Sequence, residues 1–198
     1  TQAATNVEET TAIGKGNITD TGGENCDERG VEWGTTSGSY PNSATDTDSF
    51  EKGAFIKEMS SLSPGTTYYY RAKAHNNSAD WGYGEEKSFT TKPNPPSNLA
   101  TSNPTTNSLD LSWTKGTGGD KTMIKRATGA YPSSYSAGTK AYFDTGTSTT
   151  DTGLDPNITY YYRAWAYDSD SGHHSDSYSE ATGTTYVANP TVTTQAAT

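Results

Sequence analysis

Thr67-Tyr68-Tyr69-Tyr70-Arg71-Ala72 returns unchanged as Thr159-Tyr160-Tyr161-Tyr162-Arg163-Ala164, 92 positions later. The stretch ahead of it returns too: Leu62-Ser63-Pro64-Gly65 corresponds to Leu154-Asp155-Pro156-Asn157. One design is therefore used twice in a chain of 198 residues, a length that suits two small domains. The join falls at Lys92-Pro93-Asn94-Pro95-Pro96, a proline-rich break through which a strand cannot continue. A linker so short and rich in proline is stiff. The expected organisation is one module over residues 1–92, a second over 93–187, and a closing segment over 188–198.

Within the modules the side chains alternate with a period of two, the signature of half-buried strands. Tyr68, Tyr70, Ala72 and Ala74 fall on one face, and Tyr69, Arg71 and Lys73 on the other. Tyr160, Tyr162, Ala164 and Ala166 repeat the inward set. Leu109, Leu111 and Trp113 alternate with Ser108, Asp110 and Ser112, and Val31 and Trp33 form a shorter pair. Turn signals separate these runs, as at Asp20-Thr21-Gly22-Gly23 and Gly116-Thr117-Gly118-Gly119. Only 29% of the residues are hydrophobic, but 14 Tyr, 4 Trp and 4 Phe supply bulk for small cores. Disordered chains are poor in such residues. Many short strands without a convincing helix predict an all-β chain of two β-sandwiches in tandem.

Leu62/Pro64/Tyr68 and Leu154/Pro156/Tyr160 share a Leu-x-Pro-x-x-x-Tyr spacing. Together with Pro95-Pro96-Ser97-Asn98-Leu99 and Leu109-Asp110-Leu111-Ser112-Trp113, they resemble the fibronectin type III family. The resemblance implies that Tyr68 and Tyr160 bond their hydroxyls back to the chain at a tyrosine corner. It also implies that Trp113 is a core tryptophan of the second strand. The first module has no tryptophan in the matching stretch, Ala12 to Ile18, so Trp33 is expected to supply the bulk. Leu62 and Leu154 complete the expected structural set. Modules of this family serve as spacers, adhesion units and accessories of enzymes, so the resemblance does not fix a function.

A longer period overlies the first. Thr1-Gln2-Ala3-Ala4-Thr5 recurs as Thr194-Gln195-Ala196-Ala197-Thr198. The whole segment Pro190 to Thr198 has the form of an opening strand for a module of the first type. Thr191, Val192, Thr193 and Thr194 are its candidate inter-unit residues. The expectation is a structural repeat unit of an extracellular filament, stalk or adhesin shaft, with copies of itself as partners head to tail. Either the array is covalent or separate subunits donate a strand to one another. The alternative is a spacer or carbohydrate-binding accessory region of a larger secreted enzyme or adhesin.

The formal charge is -9 and the isoelectric point about 4.7. That balance argues against nucleic acid and anionic membranes as partners. No run approaches the roughly 20 apolar residues of a membrane-spanning helix, so no membrane insertion is expected. Cys26 is the sole cysteine. It reads as a quiet thiol among acidic neighbours, or as the half of an inter-chain disulfide.

No serine nucleophile elbow, zinc-protease motif or phosphate-cradling loop is found, which predicts a non-enzyme without cofactor. Asp168, Asp170 and His173 are metal candidates in a loop that lacks the later ligands of a calcium site. Asp46, Asp48 and Glu51 form a sparser acidic set. Trp81 and Tyr83 are candidate carbohydrate contacts, because their rings can stack on sugars; packing within the protein is the plainer reading. Asn17, Asn76 and Asn157 begin N-glycosylation sequons, so glycans are a further candidate partner.

Overall fold

The computed structural model describes residues 1–78 and 80–192. It divides into two compact units: residues 1–94 with 168–175, and residues 95–167 with 176 onward. Among the described residues every regular element is a strand.

The first unit opens with β1 (Gln2–Thr5), β2 (Ala12–Ile18) and β3 (Cys26–Gly34). Next come β4 (Asn42–Phe50), β5 (Gly53–Met59) and β6 (Thr67–His75), then the short β7 (Gly82–Tyr83) and β8 (Lys87–Thr90). They form two antiparallel sheets, β1-β2-β5 and β4-β3-β6-β7, with β8 also on β6. The second unit contains β9 (Ser97–Ser102), β10 (Ser108–Thr114), β11 (Lys121–Thr128), β12 (Thr139–Asp144), β13 (Ser148–Thr152), β14 (Thr159–Tyr167) and β15 (Ser179–Thr184). Its sheets are β13-β10-β9 and β12-β11-β14-β15. Each unit is thus a sandwich whose smaller sheet has three strands.

Inward positions match the period-two pattern. Tyr68, Tyr70 and Ala72 are buried in the first core with Val31, Trp33, Met59 and Leu62. Leu109, Leu111, Trp113, Leu154, Tyr160 and Tyr162 are buried in the second. Trp113 lies on β10 and donates its indole N–H to Thr122 Oγ1 at 3.0 Å, so its polar edge is satisfied inside.

Equivalent backbone bonds set the correspondence of the smaller sheets. The Leu62 amide donates to the Thr10 carbonyl, and the Leu154 amide to that of Asn107. β2 and β10 are therefore offset by 97 positions, and Gly16 stands where Trp113 stands. A Cβ on Gly16 would lie 2.6 Å from Phe55 Cε1 and 2.8 Å from Ala72 Cβ. Phe55 of β5 therefore fills the space in front of Gly16. Trp33 is buried too, at 7% exposure, but the substitution for the missing tryptophan is shared between them.

The tyrosine corners share one backbone shape. The Tyr68 hydroxyl accepts from the Ser63 amide at 2.8 Å, and Tyr160 from Asp155 at 2.8 Å. Gly65 and Asn157 hold φ of 56° and 57°, a left-handed conformation that favours glycine and asparagine.

Candidate functional site

The first pentapeptide is a strand. β1 pairs antiparallel with β2, Gln2 opposite Lys15 and Thr5 opposite Ile13, with a bulge between. It ends at Asn6, whose φ is 48°; β9 ends at Asn103, whose φ is 47°. The two strands are thus counterparts with the same left-handed exit. β1 has four residues and β9 six.

Three contacts hold the amino end of β1. Ala4 packs on the first core. The Tyr70 hydroxyl donates to the Gln2 carbonyl. The Ala72 amide donates to Thr1 Oγ1 at 2.9 Å, which ties the strand to β6 across the sandwich edge. A groove of about 540 Å³ opens beside Thr1. Ile18, Phe55, Ala72 and Ala74 give it apolar walls, and Gly84 stands at its rim.

The last strand of this sandwich is broken, and its first part, β7, borders the groove. β7 and β8 both pair with β6, but residues 84–86 separate them. The Gly84 amide donates to Ala72 O at 2.9 Å. Two residues later Glu86 turns away to a turn near β3. Its carboxylate accepts from the Ser37 hydroxyl at 2.7 Å, the Gly38 amide at 2.8 Å and the Tyr40 hydroxyl at 2.5 Å. Those bonds, the one from Ser37 first, hold its pKa below the ordinary carboxylate value.

The outer face of the larger sheet carries a second arrangement, one that alternation does not reveal. Glu32 points outward yet is only 9% exposed. Arg71 Nε donates to it at 2.7 Å, and Lys73 Nζ lies 3.5 Å away. The Arg71 guanidinium sits 3.7 Å from the Tyr83 ring centroid and 4.5 Å from that of Tyr40. Arg163 repeats this in the second unit. It donates to Glu180 at 2.7 Å and lies 4.0 Å from the Tyr178 ring and 5.3 Å from Tyr131. The arginine of the recurring hexapeptide is thus clamped in each unit by a carboxylate and two tyrosines.

The other candidates fall as follows. Tyr83 is 49% exposed, with one face under Arg71. Trp81 packs on the His75 ring at 5.3 Å and under Lys73 at 4.3 Å. Asn17 and Asn157 are exposed. Asn76 is buried, and its amide donates to Thr21 O at 2.6 Å. Asp168 accepts from the Asp170 amide and the Ser171 hydroxyl within its own loop. Asp46 pairs with Lys57 at 2.7 Å. Among the described residues no three His, Cys, Asp or Glu converge to hold a metal. Cys26 lines the groove but is 4% exposed. Burial, and then Asp27, raise its thiol pKa. Thr191 and Val192 lie outside any strand, with Val192 89% exposed; Thr193 and Thr194 lie outside the described residues.

Comparison with solved structures defines the class of fold: two fibronectin type III-like β-sandwiches in tandem. The chain is similar to a two-domain fibronectin type III segment of chicken tenascin, at 17% identity and a TM-score of 0.52, covering 91% of this chain and 94% of that one. Chicken CNTN1 domains FN1-FN3 match at 15% identity and a TM-score of 0.42, over 93% of this chain and 64% of that one. No family model matches the sequence, and no curated protein matches it. No helix among the described residues is long and apolar enough to cross a membrane.

Proposed function

We propose that this chain is one period of a head-to-tail structural polymer: the repeat unit of an extracellular filament, stalk or adhesin shaft. One observation carries the reading. The first copy of the terminal pentapeptide is the edge strand β1, so the second copy has the sequence of a strand that opens another first-type sandwich. The period is 193 residues, from Thr1 to Thr194, and holds one sandwich of each type. A head-to-tail relation that does not close on itself generates a filament.

The anchoring of β1 supports covalent continuity over strand donation. A donated strand with the same sequence would have to displace Gln2–Thr5 from Lys15, Tyr70 and the core. The charge of -9 per chain favours solubility and repulsion between neighbouring fibres. Electron microscopy of native material tests the function: the expected image is a thin fibre with an axial repeat of one two-sandwich unit. A discrete native mass near 21.1 kDa, the mass of one chain, would eliminate the covalent array.

A second reading, a carbohydrate-binding accessory region, rests on the exposure of Tyr83 next to Trp81. It requires that the parent bind oligosaccharides and that Trp81→Ala abolish binding. An inert parent ends it.

A further inference from the structure

We infer that the groove beside Thr1 is the seat for the Pro190–Thr193 segment of the preceding copy in the line. This rests on the head-to-tail reading and gives the join a place on the first sandwich. In the second unit the equivalent strand is longer. β9 continues to Ser97, which pairs with Thr114. The offset of 97 makes Asn17 the counterpart of Thr114. β1 reaches no further along β2 than Lys15, opposite Gln2. The same offset places the missing partner of Asn17 one residue ahead of Thr1, which is the place of Thr193 in the repeat.

Chemistry agrees with geometry. Thr1 turns its hydroxyl towards β6, where Ala72 N–H donates to it. Side chains two apart on a strand share a face. In the repeat Thr194 takes the place of Thr1, so Val192 faces the same way as Thr1, into the groove. Its walls there are Ile18, Phe55, Ala72 and Ala74. Val192 is the one branched aliphatic side chain of Pro190-Thr191-Val192-Thr193, and within its own molecule it is 89% exposed. The apolar part of a groove that also carries Asp20, Lys73 and Asn76, and an apolar side chain without cover, are thus brought into register by the repeat. Pro190 fits the start of such a strand, where no ladder N–H is needed.

The test extends the full chain ahead of Thr1 by Pro-Thr-Val-Thr, the sequence of Pro190–Thr193. A second version carries Asp in place of the added valine. In the first, nuclear Overhauser contacts are expected from the added valine methyls to the Phe55 ring and the Ile18 side chain. Amide exchange of the added residues slows roughly tenfold or more, as one retained hydrogen bond would give. The Asp version loses both signals while Gln2–Thr5 stay paired with β2. Added residues that exchange at random-coil rates, with no contacts to Phe55 or Ile18, overturn the inference. So does an extension that expels Gln2–Thr5 from β2. None of these readings depends on whether native filaments form, which microscopy and native mass decide separately.

Discussion

The backbone amide of Asp155 donates a hydrogen bond to the hydroxyl of Tyr160, 2.8 Å away, across a corner that closes one end of the second sandwich. Tyr160 is 6% exposed, so water does not readily replace its hydroxyl. Tyr160→Phe keeps the ring and strands the amide, a loss of about 1–3 kcal/mol. Urea unfolding should show the loss in the second unit, and Tyr68→Phe should show it in the first. A change below a few tenths in both would mean that the corner bond contributes nothing.

Tyr70 gives the first unit an alkaline limit. Burial pushes its phenol pKa up to about 12. The ordinary value is about 10, so the folded state binds this proton more tightly than the unfolded chain. The associated stability is fully present below about pH 10 and is lost as pH rises through about 12, a change of up to ~3 kcal/mol. Denaturation at stepped alkaline pH should give a shallower decline for Tyr70→Phe than for the parent. Parallel declines would count against the assignment.

Glu32 holds two cations on a sheet face. Glu32→Ala leaves Arg71 and Lys73 side by side, with 30% and 13% side-chain exposure. Removing one partner of a buried pair costs about 3–5 kcal/mol. The partial exposure of Arg71 reduces that to about 2 kcal/mol here. Glu32→Gln should recover part of it through hydrogen bonding. A thermal melt of the three proteins checks the order parent, Gln, Ala.

Gly16 and Gly14 form a matched pair on β2. Alanine at 16 would drive Cβ into the Phe55 ring, to 2.6 Å from Cε1 and closer still to Cζ, whereas alanine at 14 meets Val31 Cγ1 at 3.2 Å. Gly16→Ala is expected to destabilise by about 1–3 kcal/mol through overpacking. Gly14→Ala should cost less. Gly16→Ala combined with Phe55→Leu should restore part of the loss, and calorimetry would measure all three.

Asp151 and Arg126 are the buried ion pair of the second unit, with Tyr162 donating to the same carboxylate at 2.9 Å. Burial outweighs the Tyr162 bond and the Arg126 charge and raises the Asp151 pKa above the ordinary value. Its stability term is therefore present below the ordinary carboxylate pKa and declines as pH rises through the raised one. Asp151→Asn should flatten stability across the window above the ordinary carboxylate pKa in denaturant titrations. A profile unchanged by the substitution would refute the linkage.

What was legible in the sequence was what strand alternation and local repeats encode. Tyr68, Tyr70, Leu109, Leu111 and Trp113 are inward because their spacing says so, and the two corners carry their Leu-x-Pro signature. Glu32 was not legible as buried. Period-two alternation puts it outside, and its cover comes from Arg71 and Lys73 on a neighbouring strand. Nor was the clamp on Arg71, since Tyr40 and Tyr83 lie 31 and 12 positions away on opposite sides of it in the chain. β4 is polar through Asn42–Phe50, and its strand character comes from pairing with β3. The break in the strand between β7 and β8 is equally hidden, because no local pattern at Gly84-Glu85-Glu86 announces it. Phe55 in front of Gly16 is hidden from the sequence for the same reason: the contact joins strands far apart along the chain.

β1 has a mechanical meaning as well. A pull on Thr1 directed along β1 strains its bonds to β2 together, in shear, instead of opening them one after another. The Tyr70 and Ala72 links to Gln2 and Thr1 share that load with the opposite sheet. Tension applied at Thr1 is thus passed to both layers of the first sandwich.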